Sequence, residues 1–195
     1  MRTDLTRSER TCRLSDVEVA LLARFRAGER EDSFQELVRG QLGPLIALAR
    51  RVTGDSAWAD DLVQEALVRA YRGLDAFRGE SSLRTWLFRI LVRLSKEPSR
   101  WQRSEPAAPL SVEVPDVLGI DPHDELVERE LRDRLEEALE RLTPRQRAAF
   151  HLRAVEGMDY RAIGAALDCT PVAARMLVLG ARKKVMARME RHLEW

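Results

Sequence analysis

The sequence predicts an all-α protein: two small helical domains joined by a Pro-containing acidic linker, the second domain a helix-turn-helix. Three observations carry this expectation. Apolar residues recur at helical spacing toward both ends of the 195-residue chain, with no strand-like alternation. Helix-start and helix-stop residues bracket those periodic stretches. Between Ser104 and Pro122 the periodicity fades, and four prolines appear, Pro106, Pro109, Pro115 and Pro122. The boundaries that follow are 1–103 for the first domain, 104–124 for the linker and 125–195 for the second.

In the first domain, Ser15-Asp16-Val17-Glu18 reads as a capping box that opens a helix stopping near Gly28. A second helix is predicted from about Glu31 to Arg39. A third runs from Leu42 to just before Gly54. Asp55 or Ser56 caps a fourth, with Leu62, Ala66, Leu67 and Ala70 at helical spacing and Gly73 at its end. Ser81 or Ser82 caps a fifth, from Leu83 to about Lys96, and Pro98 breaks it. In the second domain Glu125 to Leu142 is charged and helical. Thr143-Pro144-Arg145-Gln146 is a second capping box, with Pro at the first helical position, and its helix runs to about Glu156. Tyr160–Leu167 and Pro171–His192 complete the set as a helix-turn-helix pair.

The net charge of +1 hides an uneven distribution. Residues 1–103 hold 19 basic against 15 acidic side chains, residues 104–140 hold 3 against 12, and residues 141–195 hold 11 against 5. Two basic blocks flank an acidic connector, which suits an anionic partner for the blocks but not for the connector. An extended linker would let the blocks reach separated sites on that partner, at ~3.3 Å per residue. No apolar run approaches the ~20 residues of a membrane span, so no membrane insertion is expected. The first residues have no apolar core, unlike a secretory signal. Cys12 and Cys169 form no CxxC pair, so neither a disulfide framework nor a zinc site is expected, and a cytoplasmic location fits.

Enzyme motifs are missing: no Gly-rich phosphate loop, no HExxH and no GxSxG. His123, His151 and His192 lie far apart in sequence and read as surface or core residues. The expectation is a protein that is not an enzyme, with no catalytic residue, no metal, no cofactor and no small-molecule substrate.

Two segments carry interaction chemistry. "DDLVQEALVRAYRGLDAFRG", Asp60 to Gly79, is an amphipathic helix with an acidic rim of Asp60, Asp61, Gln64 and Glu65. Acid near a helix N-terminus complements the dipole, so helix stabilisation plus solubility is one reading and a docking face is the other. "SSLRTWLFRILVRLSKEPSRWQR", Ser81 to Arg103, places Arg89, Arg93 and Lys96 on one face, with Trp86 three residues before Arg89. Cations beside an aromatic ring suit single-stranded nucleic acid, and a solvated basic face with Trp86 in the core is the alternative.

The string Asp60–Gly79 followed by "SLRTWLFRI" resembles region 2 of bacterial RNA polymerase sigma factors, specifically the extracytoplasmic-function group. "LTPRQRAAFHLRAVEGMDYRAIGAALDCT", Leu142 to Thr170, resembles region 4 of that group. The likeness spans roughly Val17–Arg103 and Glu125–Met189. It implies a protein that binds core RNA polymerase and promoter DNA, held in check by an anti-sigma factor. Asp60, Asp61, Gln64 and Glu65 would dock on the polymerase clamp. Arg84, Trp86, Arg89, Arg93 and Lys96 would capture the unstacked −10 strand. Tyr160, Arg161, Thr170, Arg175, Arg182, Lys183 and Lys184 would serve the −35 element, with the second helix of region 4 in the major groove.

Two departures from the group's pattern bear on promoter reading. Arg93 stands where the group usually has Asn, and Arg cannot make the same amide contacts to a base. The reading helix runs "AARMLVLGAR", Ala173 to Arg182, with Met176, Leu177 and Gly180 where polar or basic residues are usual. Exposed Met176 and Leu177 would suit a protein partner; the alternative is that a small shift of register makes Leu177 core. Two other functions therefore stay open: a sigma-like decoy that binds an anti-sigma factor or polymerase without reading promoters, and a helix-turn-helix repressor. A repressor has no need of the region-2-like block.

Overall fold

The computed structural model describes residues 14–97 and 122–190. The linker prolines before Pro122, Cys12 and His192 lie outside the described residues. Within them every regular element is helical. The elements are α1 (Asp16–Arg26), α2 (Arg30–Arg39), α3 (Leu42–Thr53), α4 (Ser56–Gly73), a 3-10 turn at Leu74–Ala76, and α5 (Leu83–Leu94). After the linker come α6 (Pro122–Glu140), α7 (Pro144–Ala154), α8 (Tyr160–Leu167) and α9 (Pro171–Glu190).

The helix starts are chemical. Ser15 Oγ accepts from the Glu18 N–H at 3.2 Å while the Ser15 N–H donates to Glu18 Oε2 at 2.7 Å, closing the predicted capping box. Asp55 caps α4 by accepting from the Trp58 N–H at 3.1 Å, and Ser82 caps α5 through the Thr85 N–H at 3.2 Å. Thr143 and Gln146 form the second capping box. At the end of α3, Gly54 adopts φ 74°, a left-handed position that costs Gly little. Boundaries differ from expectation by two or three residues at α5, which stops at Leu94, and at α6, which starts at Pro122. Proline at a first helical turn loses nothing, because its N–H would have no partner there.

The first block closes around Phe25, Phe34 and Tyr71. Tyr71 meets both phenylalanines edge-on, at 5.5 and 5.2 Å, and the Arg30 guanidinium lies over Phe25 at 4.2 Å. The two blocks do not stand apart. Helix α3 packs on α7 and α5 packs on α8, and one apolar cluster runs through both blocks. It joins Leu45, Leu48, Phe88 and Leu91 of the first to Leu152, Ile163 and Leu167 of the second. A smaller cluster, Ala138, Leu139, Leu142, Ala181 and Val185, ties α6 to α9.

Between α8 and α9 the chain bends by 97°. Gly164 lets this happen: a Cβ there would sit 2.7 Å from the Cys169 carbonyl oxygen, closer than real contacts allow. The turn residue Asp168 takes φ 58°, and the Cys169 N–H donates to the Gly164 carbonyl at 2.9 Å.

A shared core predicts shared unfolding. Ile163 is fully buried in it, so Ile163→Ala should lose about 2–5 kcal/mol. With Trp101 and Trp195 replaced by Phe, fluorescence reports only Trp58 and Trp86, both in the first block. In a denaturant titration that signal and the helical circular dichroism should fall together, at a lower midpoint than in the parent. An unmoved fluorescence midpoint would mean that the blocks unfold independently.

Candidate functional site

Three surfaces bear on the predicted sites. The first is the outer face of α4. Asp60, Asp61 and Gln64 are exposed along it, followed by exposed Val68, and Glu65 is half-buried at its edge. Glu65 accepts from Arg69 at 3.0 Å, and Arg69 also grips Glu97 at 2.9 and 3.0 Å. One expectation is corrected here. Because α4 starts at Ser56, its first turn holds no acid, and Asp60 and Asp61 fall in the second turn. A dipole effect fades beyond the first turn, so the dipole does not account for this acid, and solubility and docking are the two readings left.

The second surface is the basic side of α5, and the second block covers part of it. Arg84 donates to Gln41 Oε1 at 2.8 Å and to Glu156 Oε2 at 2.9 Å. The Glu156 side chain is only 7% exposed while that of Arg84 is 39% exposed, so this pair crosses the seam with its acid enclosed and its base reaching solvent. Arg89 and Arg93 reach the turn between α8 and α9, donating to Asp168 Oδ1 at 3.1 Å and Oδ2 at 3.2 Å. Hydrogen bonds from Arg93 and then Arg89 hold the Asp168 carboxyl below its ordinary range. Trp86 is half-buried and stacks on Phe77 with ring centroids 4.8 Å apart. Lys96 is exposed, past the end of α5. The structure therefore brings Arg84, Arg89 and Arg93 together along the seam and leaves Trp86 within the first block.

Also in the seam, His151 is buried, and neither ring nitrogen has a hydrogen-bond partner among the described residues. Burial, and secondarily the charge of Arg51, push its pKa down to about 4. Burial likewise lowers Arg51 and Arg147 from their ordinary value.

The third surface is the outer side of α8 and α9. Thr170 caps α9 by accepting from the Ala173 N–H at 3.2 Å. Arg161, Arg175, Arg182, Lys183 and Lys184 are exposed, and Lys184 donates to Gln146 at 3.0 Å. Tyr160 is half-buried under the Arg153 guanidinium, 5.1 Å from its ring centroid. Between the cations lie Val172, 72% exposed, Met176, 62% exposed, and exposed Leu179. Leu177 corrects a second expectation, since it is half-buried against the shared core rather than open to a partner. Helix geometry turns it a full 100° from Met176, toward the side of Ala174 and Val178.

Sequence reasoning did not single out Glu156 or Asp168, and it read His151 only as a surface or core residue, which here is core. Asp168 carried a signal: a short polar residue just past a helix end is a candidate for the left-handed position. Its arginine partners lie 79 and 75 positions earlier in the chain, and no local pattern reports that.

The chain matches two families, sigma-70 region 2 over residues 37–104 and sigma-70 region 4 over residues 132–185. Among characterised proteins it is 31% identical to the ECF RNA polymerase sigma-E factor of Escherichia coli K12 over 175 residues, covering 85% of this chain and 90% of that one. It is 32% identical to the ECF RNA polymerase sigma factor SigG of Mycobacterium tuberculosis H37Rv, covering 91% of this chain and 55% of that one. Among solved structures it is similar to CnrH in complex with the cytosolic domain of CnrY, with TM-score 0.63 and 25% identity over 91% of this chain and 99% of that chain. It is also similar to the sigma factor RpoE of Bartonella quintana in complex with the anti-sigma factor NepR, with TM-score 0.59 and 26% identity over 80% and 96% of the two chains.

The buried His151 sets a pH dependence. Its folded pKa of about 4 lies below the ordinary 6.5, so the unfolded chain takes up the proton first as pH falls. Stability should be intact above pH ~6.5 and decline toward pH ~4, by on the order of 3 kcal/mol in all. Denaturant midpoints at pH 7 and pH 5 measure it. His151→Leu should remove most of the difference between them, whereas an unchanged difference would place the titrating group elsewhere.

Proposed function

Since the chain belongs to the extracytoplasmic-function group of sigma-70 factors, we propose that it binds core RNA polymerase and directs initiation at a limited set of promoters. Its own residues catalyse no reaction in this reading, and nucleotide addition is left to the polymerase. It works where the polymerase is, in the cytoplasm. Asp60, Asp61 and Gln64, with Glu65 beside them, dock on the polymerase. Arg84, Arg89, Arg93, Trp86 and Lys96 serve the −10 strand. Tyr160, Arg161, Thr170, Arg175, Arg182, Lys183 and Lys184 serve the −35 element.

The observation that carries the reading is the open acidic face of α4. It contributes little to the helix that bears it, and a repressor would have no use for it. An anti-sigma factor is the further partner we assign. In support, RpoE of Bartonella quintana is bound to one, and CnrH is held by the cytosolic domain of another protein.

The exposed Val172, Met176 and Leu179 favour a second reading, a sigma-like decoy that binds polymerase or an anti-sigma factor without reading promoters. Run-off transcription with purified core polymerase on genomic DNA separates the two. Defined start sites appear if the chain is a promoter-directing factor and are missing if it is a decoy.

Two outcomes follow for the docking and reading faces. Asp60→Lys with Asp61→Lys should abolish co-purification with core polymerase and leave the circular dichroism unchanged; full retention would remove α4 from the docking face. On the −35 side, Arg182→Ala and Lys183→Ala in the holoenzyme should weaken a mapped promoter and scrambled DNA alike. Each should lower the salt slope by about 1, as lost phosphate contacts do. A loss confined to the promoter would make these side chains base readers instead.

A further inference from the structure

We propose that Asp168 is an internal stand-in for a DNA phosphate: it occupies the Arg89–Arg93 pair in the free chain and competes with the −10 strand for those two guanidinium groups. The inference rests on the assignment of that pair to single-stranded DNA.

The first observation is geometric. The two carboxylate oxygens of Asp168 are shared out, one to Arg89 at 3.1 Å and one to Arg93 at 3.2 Å. An anion bridging two guanidiniums through separate oxygens is also how a backbone phosphate would take them. The second observation is backbone strain. Asp168 is the single non-Gly residue with positive φ among the described residues, at 58°. Gly would hold that turn without penalty, and Asp is among the few other residues that tolerate it, so the turn admits a carboxylate without requiring one. Strain kept at one position points to a role for the side chain held there. The third observation is contrast. Arg84 and Glu156 repeat the same cross-seam pairing one end further along α5, while the acidic face of α4 stays open. The free chain thus presents its polymerase-docking acid and holds its strand-binding cations against its own second block.

The side chains of Arg89, Arg93 and Asp168 are 44%, 56% and 48% exposed, so a strand can reach the pair and displace the carboxylate. Competition of this kind is reciprocal. A partner that lifts the second block frees the pair for DNA, and a strand that takes the pair loosens the seam by the same factor. Arg93 is what gives Asp168 its second partner.

The test uses the full chain without polymerase and a 20-mer of deoxythymidine as probe, with fluorescence anisotropy at fixed salt. Asn and Gly both tolerate the left-handed turn, so Asp168→Asn and Asp168→Gly keep the fold. Each should bind the probe about three- to tenfold more tightly than the parent, the range expected when exposed ion pairs are released. Glu31→Gln removes one exposed negative charge elsewhere on the surface and should gain less than twofold. Adding Arg93→Ala to Asp168→Asn should erase the gain. Equal affinity of Asp168→Asn and the parent would overturn the proposal. So would an equal gain from Glu31→Gln, or a gain that survives Arg93→Ala. Initiation by the wild-type holoenzyme is a separate readout: its failure would undo the proposed function, while the oligonucleotide comparison would still decide what Asp168 does.

Discussion

The structure depends on the apolar seam between its two blocks. Phe88 and Leu91 on α5, with Leu45 and Leu48 on α3, share a core with Leu152, Ile163 and Leu167 of the second block. The first block has its own aromatic cluster and the second its own contact between α6 and α9. A small domain still buries a modest fraction of its surface, and the seam extends the interior of both. The linker's composition would allow separation, yet the apolar faces of α5 and α8 favour contact. What could part them is a partner able to cover those faces as well.

The seam also orders the charges. Exposed ion pairs contribute little on their own, so Asp168 and its arginines do not hold the blocks together. The apolar contact does that, and the ion pairs decide which cations remain available. Arg84, beside the nearly enclosed Glu156, and the Arg89–Arg93 pair are committed across the seam, while Asp60 and Asp61 are not. His151 adds a condition, because a proton placed on it would sit buried near Arg51, with the Glu156 carboxylate 3.8 Å from Nε2 and outside hydrogen-bond distance. The closed arrangement therefore suits neutral pH.

Much of the fold was legible because helix ends are local chemistry. Ser15 with Glu18, Thr143 with Gln146, and Gly54 each act within four residues, so their spacing in the sequence is the interaction itself. The acidic run on α4 and the cations of α9 were legible for the same reason, since helical periodicity places them. Three features were not. Leu177 turned inward because a tertiary neighbour claimed it, a choice that the run "RMLVLG" leaves open. Trp86 found a ring partner in Phe77, nine residues earlier and across a turn. The Asp168 contacts span more than seventy residues, and nothing short of the packed seam brings them together.

The central claim is that the free chain is closed along this seam; on the proposed function, polymerase is the partner that opens it. With Cys12 and Cys169 replaced, spin labels at Ala57 on α4 and Lys183 on α9, both exposed, report the separation of the blocks by double electron–electron resonance. The account predicts a single narrow distance in the free chain and a longer, separate one when core polymerase is added. The same distance in both states, or a broad spread of distances in the free chain, would contradict it.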